Sequence, residues 1–215
     1  MPKTPISPKA ATILENRRRE VTAILDEVAA EHTEITLELG SGHGHFLTAY
    51  ASAHPDRFCL GIDRQGNRIT RSLRKQDHAA LPNLRFVRAE IGQFLECLPP
   101  TLRLSRILVL FPDPWPKRRH EKNRLLGPLM LRRLARFAPA GADLCLRSDS
   151  LDYLDWVGTH LLESDDWEID PTRPWPFEWE TVFQRKAPAY RSLIAVRADR
   201  ARSAESPGKA PEASP

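Results

Sequence analysis

Apolar positions along this chain change their period several times. Ile13, Leu14, Val21, Ile24, Leu25 and Val28 recur at helical spacing, with Arg17, Arg18 and Arg19 between them. That pattern predicts an amphipathic helix over residues 11–31. Short apolar runs follow: ITLELG (35–40), RFCLGID (57–63), LRFVRA (84–89), RILVLF (106–111) and ADLCLRSD (142–149). Each is of strand length, and each precedes a stretch able to form a helix: 43–53, 64–78, 91–97, 125–137 and 151–162. Strand and helix alternating at this spacing imply right-handed crossovers and a parallel sheet covered on both faces. Beyond residue 165 the pattern changes. WEIDPTRPWPFEWETVFQRK and YRSLIAVR predict a closing antiparallel hairpin with a long excursion rich in proline and tryptophan. The expected fold is therefore α/β, a doubly wound and mostly parallel sheet with an antiparallel C-terminal end.

Composition adds bounds. The 215 residues suit one sizeable domain, expected over residues 11–200. Residues 1–10 carry three prolines and suggest a flexible arm; ARSAESPGKAPEASP (201–215) has little to bury and suggests a disordered tail. Hydrophobic residues are 41% and charged residues 28%, as in an ordinary globular protein. The formal net charge is +4, and the run 117–124 alone contributes five cations less Glu121, so the remainder sums to about zero. Cys59, Cys97 and Cys145 are odd in number and widely spaced, which predicts reduced thiols acting as small apolar residues. With no apolar signal core and no run of membrane-spanning length, a cytoplasmic protein is expected, without membrane partners.

The first core strand ends in Glu38-Leu39-Gly40-Ser41-Gly42-His43-Gly44. Three alternating glycines between strand and helix let a backbone approach a ligand closely. Asp63 ends the second strand, where a carboxylate can bind both hydroxyls of a ribose, and Glu90 follows the third, within reach of an adenine edge. Nicotinamide and S-adenosylmethionine (SAM) sites share this arrangement. The GxGxG spacing and the acid Glu38 favour SAM, because a carboxylate repels a pyrophosphate but attracts an ammonium and a sulfonium. His43 and His45 lack a third ligand at metal spacing, so no metal is expected.

The fourth strand runs into Phe111-Pro112-Asp113-Pro114-Trp115 and then Lys117-Arg118-Arg119-His120-Glu121-Lys122-Asn123-Arg124. Ligands of parallel sheets bind beyond the strand carboxyl ends, and a fourth strand beside the first would deliver Asp113 there. Pro112 and Pro114 restrict the direction of Asp113 and Trp115. A carboxylate accepts from the N1–H and N2–H₂ donors of guanine, and an indole offers a stacking face. The basic run can hold phosphates. Arg64, Arg68, Arg71 and Lys75 recur on one face of the helix after the second strand, expected as a solvated face rather than an RNA track.

ELGSGHGHF, LGIDR and above all FPDPWPKRRHEKNRLL closely resemble the TrmB family of SAM-dependent tRNA (guanine-N7)-methyltransferases over residues 35–150. The resemblance implies a seven-stranded, Rossmann-like methyltransferase fold and methylation of guanine 46 in the tRNA variable loop. It implies cofactor contacts at Glu38, Asp63, Glu90 and Asp113 beside the glycines, with Asp113 also catalytic. Substrate contacts would fall on Lys117, Arg119, His120, Lys122, Arg124 and Asp149, and on Thr181 and Gln184 of the family's Thr-x-Phe-Glu motif. The chain departs from the family in reading Thr181-Val182-Phe183-Gln184, an amide in place of a carboxylate, and RSDS around Asp149. Gln184 is then either a weakened guanine contact or a strand residue facing solvent. Two alternatives to this activity are a methyltransferase of another RNA or a small molecule, and a non-catalytic tRNA-binding protein. A monomer and a homodimer are both compatible with the sequence.

Overall fold

The computed structural model describes residues 7–180, 184–185 and 189–199. Helix α1 (Pro8–Glu31) starts earlier than its apolar pattern requires because Ser7 caps it, accepting from the Ala10 amide at 3.3 Å. Pro8 at the first helical position loses no backbone bond, so residues 8–10, read as arm, form the first turn instead. Val21, Leu25 and Val28 bury, while Ile13 and Leu14 stay exposed.

Five parallel strands follow: β1 (Glu34–Leu39), β2 (Cys59–Asp63), β3 (Leu84–Arg88), β4 (Arg103–Leu110) and β5 (Asp143–Ser148). They are linked by α2 (His45–Ala53), α3 (Gly66–Ala79), α4 (Ile91–Cys97) and α5 (Pro128–Ala135), and α6 (Leu151–Leu162) leads on to the hairpin β6 (Trp167–Ile169) and β7 (Arg191–Arg197). β7 lies antiparallel to both β5 and β6, so the seven-stranded sheet has the order β3-β2-β1-β4-β5-β7-β6. The doubly wound sheet with an antiparallel end, expected from the apolar runs, is what forms. β4 begins three residues earlier than expected because its register against β1 shifts between Ile35 and Thr36, accommodating one extra residue at Ser105.

Strand alternation divides the core between two faces. Leu37, Ile62, Ile107, Val109, Leu144 and Leu146 pack under α1, α4, α5 and α6. On the other face, Cys59, Leu108, Cys145 and Ile194 meet Phe46, Leu47, Tyr50 and Ile69 of α2 and α3. Burial pushes the Cys59 and Cys145 thiols up to about 12, so they behave as apolar side chains. Toward β5 and β7 the second face is covered by the irregular segment 170–180, which inserts Trp175 and Phe177. Two arginine–carboxylate pairs pin that segment to β5. Arg173 reaches Asp143 at 2.6 Å, and Arg147 donates to both oxygens of Glu178 at 2.9 and 3.0 Å. Asp143 and Arg147 lie on one face of β5 because four residues are two full strand periods. No helix among the described residues is long and apolar enough to cross a membrane.

Candidate active site

A cavity of about 490 Å³ opens at the carboxyl ends of β1 to β4, beside the reversal of strand order between β1 and β4. Gly40, Asp63, Glu90 and Asp113 stand in its wall, one from the end of each of these four strands. The fold thus brings together residues scattered over seventy-four positions of sequence.

The glycines of the first turn serve different ends. Gly44 has φ +73°, and a Cβ there would come within 2.6 Å of the ring of buried Phe86. Gly40 has φ +79°, yet a Cβ would meet nothing within 4 Å. Its backbone faces open space that a ligand could occupy. Asp63 ties this turn to α3. Its Oδ1 accepts from the Gln65 amide at 2.7 Å and its Oδ2 from the Gly42 amide at 3.1 Å, with Arg68 at 3.5 Å. A carboxylate offers about four acceptor directions, so capacity is left for the hydroxyls of a ribose.

Glu38, Gly42 and Gly44 lie behind this wall rather than in it. Glu38 is buried, and its Oε2 has no hydrogen-bond partner among the described residues. Burial first, then repulsion from Asp63, pushes its carboxyl up to about 8. Glu38 then keeps its proton near neutral pH, and the charge that suits a cationic ligand and disfavours a pyrophosphate comes from the wall residues Asp63, Glu90 and Asp113, so these residues fit SAM. A consequence concerns stability. The folded protein holds the Glu38 proton more tightly than the unfolded chain, so stability falls as pH rises from about 4.5 to about 8. Thermal unfolding across that window is expected to show a downward slope of up to ~1.4 kcal/mol per pH unit, which Glu38→Gln flattens. An unchanged slope in that variant would assign it to other groups.

The turn after β4 is strained. Phe111 and Trp115, neither of them glycine, have φ of 48° and 44° and bracket Pro112-Asp113-Pro114. Each such residue costs roughly 1–3 kcal/mol and persists only where its surroundings hold it. Here the Phe111 amide donates to the Arg147 carbonyl at 2.8 Å, and its ring meets Tyr190 edge-on. Arg124 Nε donates to the Pro114 carbonyl at 3.0 Å, and Trp115 packs edge-on against His120. Asp113, exposed, is thereby held in the cavity wall with Trp115.

The basic run divides. Residues Arg118–Asn123 form a 3-10 helix on which Arg119 and Lys122, with Lys117 just before, are exposed and form no ion pair among the described residues. Arg124 departs from expectation: it is not available to RNA. It is buried, its guanidinium bonds Asp152 and Pro114, and it lies over Tyr153 and Trp156 at 5.9 and 5.2 Å. His120 is half-buried, accepts from Arg119 Nε at 3.3 Å, and serves first as a wall for Trp115. Asp149 is exposed just past β5, outside the cavity wall. Gln184 is buried in a helical turn, contrary to a solvent-facing strand position, and also lies outside that wall. Thr181 falls outside the described residues. Asn123 and Leu125 do line the cavity, although nothing in their residue types signals it. Among the described residues no group of three His, Cys, Asp or Glu side chains converges to hold a metal ion.

A family model described as "Putative methyltransferase" matches residues 32–185, a span containing every residue of the cavity wall. A tRNA (guanine-N(7)-)-methyltransferase of Rhodospirillum rubrum is 34% identical over 180 residues, covering 78% of this chain and 69% of that protein. The chain belongs to the tRNA (guanine-N7)-methyltransferase family. A relative of the same name from Nitrobacter winogradskyi is 34% identical over 160 residues, 72% of this chain and 62% of its own length. The chain thus spans about two thirds of the length of these relatives. Among solved structures, the 16S rRNA methyltransferase KamB matches with a TM-score of 0.60 at 18% identity, over 82% of this chain and 94% of that one. A 16S rRNA (adenine(1408)-N(1))-methyltransferase variant from Catenulisporales acidiphilia, solved with cosubstrate SAM, matches with a TM-score of 0.58 at 20% identity, over 87% and 94%. At these identities the structural likeness is one of fold.

Proposed function

We propose that this protein methylates N7 of a guanine in tRNA, guanine 46 of the variable loop, using SAM in the cytoplasm. One observation carries the reading beyond family membership: a strained turn presents Asp113 in the same cavity wall as Gly40, Asp63 and Glu90. Asp63 would hold the ribose hydroxyls and Glu90 the adenine edge, with Gly40 giving the backbone clearance. When bound, SAM supplies a methyl group on a sulfonium, an electrophile that needs no activation by the protein. Guanine N7 carries a free lone pair, so no residue has to act as a base. Asp113 can accept from the Watson–Crick edge while N7, on the opposite edge, stays free. Its negative charge then opposes the positive charge that grows on the alkylated ring. Trp115 offers a face that orients the base.

Lys117, Arg119 and Lys122 would contact tRNA phosphates. Neutralising all three is expected to raise the Michaelis constant for tRNA and to lower the slope of log affinity against log salt by about two to three. An unchanged slope would remove this loop from the RNA track. The reading as a whole is tested by transferring labelled methyl from SAM to unmodified tRNA, then cleaving with borohydride and aniline, which cut at 7-methylguanosine. Label with a cut in the variable loop is expected. Label without that cut would assign another atom or another RNA, a result to which Gln184 in place of a carboxylate would then be relevant.

A further inference from the structure

A second cavity, of about 680 Å³, lies between α2 and α3 and shares no lining residue with the first. Arg71, Arg74 and Lys75 of α3 and His45 of α2 line it, and Trp179 closes one side. No carboxylate lines it, and none of its three cations forms an ion pair among the described residues. Among the described residues Arg71 bonds only the His43 ring, at 3.4 Å. The crowding has an electrostatic cost. Burial and then Arg71 lower the Lys75 pKa, and burial and then Lys75 lower that of His45. An anion in the cleft would relieve both repulsions.

Trp179 is 47% exposed, although a tryptophan free to do so would bury. It is propped in place. Its ring is parallel to Phe177, with an interplanar angle of 6°, and Phe177 is wedged edge-on against Phe46, Tyr50 and His54. The outer indole face is thus presented beside three unneutralised cations. The cleft and the candidate active site are bordered by the same helix, α3. Arg68 lines the first cavity and reaches Asp63, while Arg71 and Lys75, three and seven residues on, line the second. Those seven residues span about 10 Å of helix axis. The face expected to be merely solvated therefore borders both cavities.

We propose that the α2–α3 cleft is a second RNA-binding subsite, holding tRNA phosphate on Arg71, Arg74 and Lys75 and an unstacked base against Trp179. Cations with an exposed aromatic face are how proteins hold single-stranded RNA without reading its sequence. The inference rests on the tRNA reading above and adds to it a second contact away from the reacting base.

The test uses the full chain and unmodified tRNA, with three variants that leave Arg71 and the glycine turn intact. Filter binding across a salt series is expected to show about tenfold weaker tRNA binding for Arg74→Ala/Lys75→Ala, with the salt slope lowered by about two. Trp179→Ala is expected to weaken binding about tenfold with the slope unchanged, and Trp179→Phe to restore much of the loss. SAM affinity and turnover at saturating tRNA stay at parental values in all three. If both alanine variants bind tRNA with parental affinity and slope while the parent methylates tRNA normally, the subsite is overturned and the activity stands. If the parent methylates no tRNA but the variants still lose binding in these two ways, the activity falls and the subsite stands.

Discussion

Replacing Asp113 with alanine is expected to slow methyl transfer to tRNA by about 100- to 1,000-fold at saturating substrates, the range for losing one group aimed at developing charge. Asp113→Asn should fall nearly as far, because the amide keeps the shape and an acceptor but not the charge that opposes a cationic ring. Both variants should fold normally, since the side chain is exposed and its direction is set by neighbours rather than by its own bonds. SAM affinity, measured by calorimetry, should move only moderately, because Gly40, Asp63 and Glu90 remain in the wall. Parental single-turnover rates in either variant would remove Asp113 from the chemistry.

Arg124→Ala should act differently, and the contrast separates a strut from an RNA contact. Its guanidinium is buried, whereas its partner Asp152 is 70% exposed and can regain solvation. The stability loss is therefore expected at about 2 kcal/mol, below the 3–5 kcal/mol of a fully buried pair. The larger effect is on turnover. Without the bond to the Pro114 carbonyl, the left-handed backbone of Trp115 loses one of its restraints and Asp113 its fixed direction. Turnover is expected to drop about tenfold or more while the salt dependence of tRNA binding stays parental. Arg124→Lys keeps the charge near Asp152 but cannot bond and stack at once, and should fall between. A parental turnover with a lower salt slope would return Arg124 to the RNA surface.

These two residues also show how far the sequence could be read. Asp113 was legible because two prolines and a tryptophan at a strand end have few structural reasons to occur together. Arg124 was not, because a cation within a run of cations looks solvated until the fold places Tyr153, Asp152 and Trp156 around it. Gln184 is similar: one position in a run of mixed polarity, it is buried by contacts that no local pattern encodes. Asn123 and Leu125 line the cavity from the end of the 3-10 helix and the segment just after it, a placement that no local pattern encodes.

The sequence by itself determined the alternation of strands and helices, the glycine turn and the acids at successive strand ends. Each of these depends on spacing within a few residues, where the period of two or 3.6 and the steric freedom of glycine act directly. Only the tertiary structure decided which charges face solvent, which are struts, and which gather into a second basic cleft. Those outcomes depend on burial and on partners roughly 30 to 110 residues away, such as Arg147 with Glu178 or Trp179 with α3. Coulomb and desolvation energies are set by those distances in space, which local sequence spacing does not contain.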